Sequence, residues 1–255
     1  MIDIHSHIVW GIDDGIQSEE EMKEAFQMAK DDGIEIICST PHITGYQIDD
    51  EKLEYIKQQQ RRARIISEKY GIQLAFGCEL FLNDSVYECI ESNHFLSLNQ
   101  SKYILCEFDV RKDIHKIEDF NEYLYEIKVK GYIPCIAHVE RYFQDGLDLE
   151  IIEDWKEKGY VFQVNRSSLL GIHGSTIEKN AWELLKKGYA HVIASDCHRA
   201  SGRRVSILSD VYEKVEKKMG KENAELLMVE NPYAILSNRD IKEMKPKKGF
   251  FRRKS

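Results

Sequence analysis

Seven short apolar runs recur along the chain, separated by segments with helical periodicity. They predict strands at residues 2–5, 34–39, 73–78, 103–108, 133–137, 161–164 and 191–195. Ser18 and Glu21 form a capping-box signature that predicts the start of a helix after the first strand. Its predicted apolar face comprises Met22, Ala25, Phe26 and Ala29. Five glycines shortly before later strands predict helix ends at Gly33, Gly71, Gly131, Gly159 and Gly188.

Strands that alternate with helices are typical of parallel βα units, because a parallel neighbour is reached only through a crossover connection. An open doubly wound sheet and a closed barrel both fit this pattern. No glycine-rich phosphate loop follows the first strand, which argues against the dinucleotide-binding form of the open sheet. We therefore expect an α/β fold with a TIM-like (β/α)7 barrel. The barrel domain is expected to span residues 1–244, followed by a separate segment at 245–255.

Composition narrows the class of protein. The 255 residues are 42% hydrophobic and 31% charged, which is typical of a soluble globular chain. No apolar run approaches the roughly 18–20 residues of a membrane span, and the first residues lack the pattern of a secretory signal. The six cysteines are scattered singly, which indicates reduced thiols rather than a disulfide framework or a zinc ribbon. We expect a cytoplasmic protein.

Charge is distributed unevenly along the chain. The net charge is −8, yet the segment at 245–255 carries six basic residues and no acid. The rest of the chain, with 30 basic against 44 acidic residues, therefore has a net charge of −14. A body this acidic argues against nucleic acid as a partner. An anionic substrate would have to be attracted by a local site.

Imidazole and carboxylate groups follow nearly every predicted strand at its C-terminal end. These candidates are His5, His7, His42, Glu79, Glu107, His138, Asp196 and His198, with Asp13 and Asp14 in the loop after the first strand. The C-terminal ends of barrel strands form the face that carries the chemistry of barrel enzymes. So many ionisable groups on one rim would be electrostatically unfavourable without cations between them. A donor set without a thiolate pair suits Mn, Fe or Zn in a site with several ions.

The remaining histidines are not expected to reach this rim. His94, His115 and His173 lie in polar helix or loop segments, and His191 opens the last predicted strand at its N-terminal end.

Six motifs occur in a fixed order along the chain. They are MIDIHSHI at 1–8, DDG at 13–15, TPH at 40–42, GCE at 77–79, AHVER at 137–141 and ASDCH at 194–198. Together they resemble the polymerase-and-histidinol-phosphatase (PHP) superfamily of metallophosphoesterases. More closely, they resemble the bacterial manganese-dependent protein tyrosine phosphatases encoded with capsule and exopolysaccharide genes. The resemblance covers roughly residues 1–240, and as a set its motifs are specific.

The resemblance implies a distorted PHP-type barrel that holds three divalent ions, manganese first, with iron or zinc as alternatives. The implied ligands are His5, His7, Glu79 and Asp196 for the first ion; Glu79, Glu107 and His138 for the second; and Asp14, His42 and His198 for the third. Asp14 is preferred to Asp13 because the ligand of the family directly precedes the glycine at 15.

The resemblance also assigns groups to the phosphate. Arg141 and Arg203 match positions that bind phosphate in the family, and Arg203 is preferred to Arg204 because it directly follows Gly202. Glu107 is grouped with them as catalytic. The expected reaction is direct attack of metal-bound hydroxide on the phosphate ester, without a covalent phosphoenzyme. A metal-bound water or a site histidine would protonate the leaving phenolate.

The implied substrate is phosphotyrosine on a protein, and the implied partner is a membrane-associated tyrosine autokinase of polysaccharide export. The alternative is a small-molecule phosphatase of the same superfamily, such as a histidinol-phosphate phosphatase. The basic segment at 245–255 is either a solvated end of the chain or a weak contact with the anionic inner leaflet of the membrane.

Two other classes of protein compete with this interpretation. Cysteine-dependent phosphatases use Cys-x5-Arg, which occurs from Cys135 to Arg141 and from Cys197 to Arg203. The first copy continues an apolar strand, and the cysteine of the second lies beside Asp196, whose charge disfavours a thiolate. A metal-storage protein would have no need of arginines next to its ligands.

Overall fold

The computed structural model describes residues 1–245 of the chain. Its strands are β1 (Ile2–Ser6), β2 (Ile36–Ser39), β3 (His42–Ile43), β4 (Gln73–Phe76), β5 (Glu79–Phe81), β6 (Tyr103–Glu107), β7 (Ile133–Ile136), β8 (Val161–Asn165) and β9 (Val192–Ala194). Its α-helices are α1 (Glu19–Asp31), α2 (Asp50–Ser67), α3 (Val86–Glu91), α4 (Phe120–Val129), α5 (Leu149–Glu157), α6 (Arg166–Leu169), α7 (Ser175–Lys187), α8 (Ser209–Met219), α9 (Lys221–Glu225) and α10 (Asn231–Leu236).

The strands pair in parallel in two sheets, with the orders β1-β2-β4 and β3-β5-β6-β7-β8-β9. The short strands β3 and β5 continue two predicted strands past their predicted ends. Pairing carries across the interruption, because Gly77 donates its N–H to the carbonyl of Ser39 at 2.9 Å and Glu79 donates to that of Pro41 at 3.0 Å. The two sheets therefore join at this point.

The ring closes between β1 and the segment that follows β9. The N–H of Asp196 donates to the carbonyl of His5 at 2.9 Å, and that of His7 donates to Cys197 at 2.8 Å. The buried carboxylate of Asp3 reinforces the closure by accepting the N–H of Ser195 at 3.0 Å. Counting β2 with β3 and β4 with β5, seven strand units form a distorted (β/α)7 barrel, as the hydrophobic pattern predicts.

Both faces of the barrel strands are buried. The larger apolar cluster includes Phe26 and Trp155 from the helices together with Phe162 of β8, so it lies between barrel and helices. Val161 of β8 belongs to a smaller cluster on the opposite, inner face. Because side chains alternate along a strand, Gln163 and Asn165 share this inner face with Val161. Polar groups thus line the barrel interior near the C-terminal end of β8.

Local signals are largely confirmed. Ser18 caps α1 by accepting the N–H of Glu21 at 3.1 Å, and the four predicted apolar residues of α1 are buried. Glu21 accepts the N–H of Gln17 instead of returning a bond to Ser18. The five predicted helix-ending glycines all have positive φ, which favours glycine. Within residues 1–245, no helix is long and apolar enough to cross a membrane.

The predicted separation of a domain at 1–244 from a segment at 245–255 stays a prediction. Apart from Lys245, the basic segment lies outside the described residues.

Candidate metal centre and phosphate site

The nine predicted metal ligands converge at the C-terminal rim of the barrel. Strands β1, β3, β5 and β6 and the turns after β7 and β9 supply seven of them, and the segment that follows β1 supplies His7 and Asp14. Donor atoms of these nine residues form four overlapping groups, within each of which all the atoms lie within 4.8 Å of one another. The rim therefore brings together the side chains that the sequence indicates.

The first predicted ligand set surrounds one carboxylate oxygen. Glu79 Oε2 lies 3.1 Å from His5 Nε2 and 3.0 Å from His7 Nε2. Asp196 Oδ1 lies 3.4 Å from His5 Nε2 and 3.7 Å from His7 Nε2. Four donor atoms from three parts of the chain thus face one small volume.

The second predicted set shares Glu79 with the first. His138 Nε2 lies 3.0 Å from Glu79 Oε1 and 3.6 Å from Glu107 Oε2. The structure also brings His42 to this set, since His42 Nδ1 lies 2.9 Å from Glu107 Oε1 and 3.3 Å from Glu79 Oε2. Glu79 is therefore shared by the first and second predicted sets, and His42 lies between the second and third sets.

The third predicted set lies nearest to solvent. Asp14 Oδ1 is 3.4 Å from His42 Nε2 and 3.6 Å from His198 Nε2, and a nitrogen of His7 completes the group. Asp13 turns the other way, with Oδ2 2.7 Å from His7 Nδ1 and accepting the N–H of His42 at 2.9 Å. Asp14 thus faces the cluster, whereas Asp13 orients a histidine from behind.

Two buried polar atoms at this rim lack a hydrogen-bond partner, as is expected of atoms that bind a divalent cation. Glu79 Oε2 is buried within about 3 Å of imidazole nitrogens, yet it makes no hydrogen bond with any residue from 1 to 245, and neither does His42 Nδ1. Buried polar atoms are nearly always satisfied, and a group left unpaired points to a missing partner. Imidazole and carboxylate donors suit Mn, Fe or Zn. The residues present therefore fit the implied metals.

Imidazoles and carboxylates of opposite charge shift one another's pKa values at the rim. Burial opposes the charge of His5, but Glu79 and Asp196 outweigh it and raise the pKa of His5 to about 9. Burial likewise opposes the charge of His42, yet Glu79 and its other carboxylate neighbours raise its pKa to about 12. Burial lowers the pKa of His138 to about 4, despite its bond to Glu79. The cluster thus holds protonated and neutral imidazoles side by side.

Burial and the charge of Glu79 raise the pKa of Glu107. Its two carboxyl oxygens face His42 and His138, so Glu107 connects the outer and inner parts of the rim.

Three arginines lie in the segments that the sequence indicates for phosphate binding. Arg141 Nη1 lies 3.9 Å from Asp196 Oδ2 at the edge of the cluster. Arg204 is bound to the same residue, with Nη2 donating to Asp196 Oδ1 at 2.5 Å and Nε donating to its carbonyl at 3.2 Å. The side chain of Arg203 is exposed, and within residues 1–245 its guanidinium has no hydrogen-bond or ion-pair partner.

His173, which sequence reasoning places away from the rim, lies beside these arginines. Its Nε2 is 2.9 Å from Ser167 Oγ, and burial together with the charges of Arg141 and Arg204 lowers its pKa to about 4. A neutral imidazole therefore borders the phosphate side of the site. Its position in a polar loop gives no periodic signal that could have revealed it.

The two Cys-x5-Arg segments do not form a thiolate site. Cys135 and Cys197 are both fully buried, and burial raises the pKa of each thiol. The thiol of Cys197 faces the carbonyl of Arg199 at 3.5 Å, which offers no stabilisation to a thiolate. The geometry therefore disfavours the cysteine-dependent chemistry.

Comparison with known proteins identifies the family. The family model described as Capsular polysaccharide synthesis, CpsB/CapC, matches residues 1–237, and the chain belongs to this family. It is 30% identical over 247 residues to the tyrosine-protein phosphatase YwqE of Bacillus subtilis, covering 96% of this chain and 95% of YwqE. It is also 30% identical over 249 residues to the tyrosine-protein phosphatase CpsB of Streptococcus pneumoniae, covering 94% of this chain and all of CpsB.

A solved structure agrees with these relatives. It comes from the crystal structures of YwqE from Bacillus subtilis and CpsB from Streptococcus pneumoniae, described as unique metal-dependent tyrosine phosphatases. It superposes with a TM-score of 0.82 at 30% identity and covers 96% of this chain and 98% of its own. The resemblance inferred from the six motifs is thereby confirmed.

Proposed function

We propose that this protein is a metal-dependent tyrosine-protein phosphatase that hydrolyses phosphotyrosine on proteins. The observation that carries the proposal is the convergence of nine imidazole and carboxylate side chains, with the guanidinium of Arg141 3.9 Å from one of them, Asp196. Its relatives YwqE and CpsB, similar over nearly their full length, are tyrosine-protein phosphatases, which disfavours the histidinol-phosphate alternative.

We assign three divalent ions to the rim, manganese first, with the ligand sets that the motifs indicate. The sets are His5, His7, Glu79 and Asp196; Glu79, Glu107 and His138; and Asp14, His42 and His198. The proximity of His7 to the third set and of His42 to the second supports ions that share neighbouring ligands. When bound, such ions polarise phosphoryl oxygens and activate water for attack.

The residues of the chain supply binding and orientation. Arg141 lies 3.9 Å from Asp196, and Arg203 directly precedes Arg204, which binds the same carboxylate. We assign to Arg141 and Arg203 the forked hydrogen bonds to the phosphoryl oxygens. Arg204, already bound to Asp196, holds that carboxylate in place. Glu107, which contacts both His42 and His138, would hold the second ion with Glu79 and His138, and we therefore group it with the catalytic residues.

The cellular setting is also part of the proposal. The substrate is a membrane-associated tyrosine kinase of capsule or exopolysaccharide synthesis, and the six free cysteines support a reducing, cytoplasmic location. The basic residues at 245–255 add weak attraction to anionic lipid, at about 1 kcal/mol for each residue near the surface. Deleting them should lower binding to phosphatidylserine vesicles in a salt-sensitive way and leave turnover of a small substrate unchanged. Unchanged vesicle binding would remove this contact from the proposal.

Substrate competition tests the central activity. Manganese-loaded protein is assayed for kcat/KM on a phosphotyrosine peptide and on histidinol phosphate under the same conditions. We expect a clear preference for the peptide. A preference for histidinol phosphate would keep the metal centre and transfer the function to small-molecule metabolism.

A further inference from the structure

Strand β8 supplies none of the proposed metal ligands, yet two of its side chains reach toward them. Gln163 and Asn165 are fully buried on the inner face of the barrel, next to Val161. A buried amide needs hydrogen-bond partners, because leaving its polar atoms unpaired in an apolar interior is unfavourable. Most of the partners that these two amides find belong to the proposed metal centre.

The orientation of the Gln163 amide is fixed by a backbone group. Its Oε1 accepts the N–H of His138 at 2.9 Å, and a backbone N–H can only donate. The same oxygen lies 2.9 Å from His5 Nδ1, so Nδ1 must carry a proton and donate it. His5 Nε2 then turns toward Glu79 Oε2 at 3.1 Å, which is the orientation a metal ligand requires.

The hydrogen bonds continue from Gln163 to Asn165 and Asp196, with each amide nitrogen donating to the next oxygen. Gln163 Nε2 donates to Asn165 Oδ1 at 2.8 Å, which leaves Asn165 Nδ2 to donate to Asp196 Oδ2 at 2.7 Å. The other oxygen, Asp196 Oδ1, accepts a hydrogen bond from Arg204 and lies 3.4 Å from His5 Nε2. The backbone N–H of His138 thus sets the direction of the hydrogen bonds through which the two amides contact His5 and Asp196, two ligands of the first proposed ion.

The backbones of two residues in this network are unusual. His138 has φ 35° and Asp196 has φ 54°, values that residues other than glycine rarely adopt. Gln163 binds the backbone of His138, and Asn165 binds the side chain of Asp196. The amides of β8 therefore hold two residues whose conformation is intrinsically unfavourable.

We propose that Gln163 and Asn165 are positioning residues, which orient His5, His138 and Asp196 before an ion binds. The proposal rests on the proposed metal centre and adds residues that the six motifs do not contain. Hydrogen-bond partners that orient metal ligands typically contribute 10- to 100-fold to metal affinity.

Manganese titration of the full chain by calorimetry provides the test. Gln163→Met and Asn165→Leu keep side-chain volume and remove the hydrogen bonds. We expect each to raise the Kd for Mn²⁺ by about 10- to 100-fold. The matched control is Asn231→Leu, which also removes a buried amide but breaks bonds to the backbone of His191 and Lys242. The control should lower the Tm and keep the Kd within about threefold of the wild type, by the same reasoning.

A second measurement separates orientation from general stability. In Zn²⁺-loaded protein labelled with ¹⁵N-histidine, the wild type should show His5 protonated at Nδ1 and coordinated through Nε2. Gln163→Met should change the His5 signals, whereas Asn165→Leu should leave His5 protonated at Nδ1. If either variant does not fold, Asn165→Ser, whose hydroxyl is too short to reach Asp196, takes its place in the titration.

The outcomes distinguish the two proposals. A wild-type chain that binds no Mn²⁺ would contradict the metal centre itself. A wild type that binds Mn²⁺, together with folded variants of unchanged Kd and unchanged His5 signals, would overturn the positioning role alone.

Discussion

Replacing Arg203 by alanine tests which of two adjacent arginines meets the phosphoryl group. Arg203 is exposed and its guanidinium is unpaired within the described residues, whereas Arg204 donates to Asp196 at 2.5 Å. An unpaired guanidinium can bind an incoming anion without breaking another bond. We therefore expect Arg203→Ala to affect catalysis and to leave the fold intact.

The expected magnitude follows from the hydrogen bonds that would be lost. A hydrogen bond to a charged group contributes about 1.5–3 kcal/mol, which corresponds to a loss of about 10- to 150-fold in kcat/KM for a phosphotyrosine peptide. Because the Arg203 side chain makes no hydrogen bond or ion pair within residues 1–245, the free energy of unfolding of Arg203→Ala should differ from that of the wild type by no more than about 0.5 kcal/mol.

Arg204→Ala is the matched comparison. It removes the bond to the buried carboxylate of Asp196, so it should lower the stability of the metal-free chain by about 1–3 kcal/mol. The assay is steady-state kinetics of manganese-loaded protein, combined with urea unfolding of the metal-free chain. If Arg203→Ala kept wild-type kcat/KM, the assignment of Arg203 to the phosphate would be wrong.

Three further predictions follow from the same geometry. Cys197→Ser should keep activity within about twofold of the wild type, because the buried thiol with its raised pKa takes no part in the reaction; an inactive variant with a full metal complement would contradict this. Because the pKa of His5 is about 9 and that of His42 about 12, Mn²⁺ must displace protons when it binds, so the affinity for Mn²⁺ should rise from pH 6 to 9. Calorimetry in buffers of different ionisation enthalpy should detect the released protons, and binding without proton release would refute the reasoning. Hydrogen bonds to Asp113 and Asp148 raise the pKa of His115, so the stabilisation that protonated His115 provides is complete below about pH 6.5 and is lost as pH rises through the raised pKa. In urea unfolding, His115→Asn should lower the free energy of unfolding by about 0.2–1 kcal/mol at pH 6 and by less at pH 9. An equal decrease at both pH values would argue against the ion pairs of His115.

The barrel could be predicted from the sequence because its strands have a strong local signature. Apolar runs with β-branched residues, all but one followed by predicted ligands, predict seven strand units in the correct order. The short strands β3 and β5 could not be predicted, since they exist only because Gly77 and Glu79 pair with the carbonyls of Ser39 and Pro41 across a break. Such pairing is a tertiary property that short segments do not encode.

The ligands at the rim could also be predicted from the sequence, because side chains at the C-terminal ends of parallel strands must meet at one face of the barrel. The position of His42 between two ligand sets depends on side-chain torsion angles, which the sequence does not predict. Gln163 and Asn165 were overlooked for a different reason. A polar residue at alternate positions of a strand usually indicates a solvated face. The predicted barrel does not by itself show which of the two alternating sets of side chains faces its interior. Their spacing on an otherwise apolar strand was the available signal.

The most direct test of metal-dependent phosphatase activity measures hydrolysis as a function of the number of bound metal ions. The protein is chelated, Mn²⁺ is returned in steps, and hydrolysis of a phosphotyrosine peptide is recorded together with the number of ions bound to each chain. We predict no hydrolysis after chelation and full recovery as about three ions bind, in line with the ligand sets at the rim. Hydrolysis that survived complete removal of metal would contradict the account.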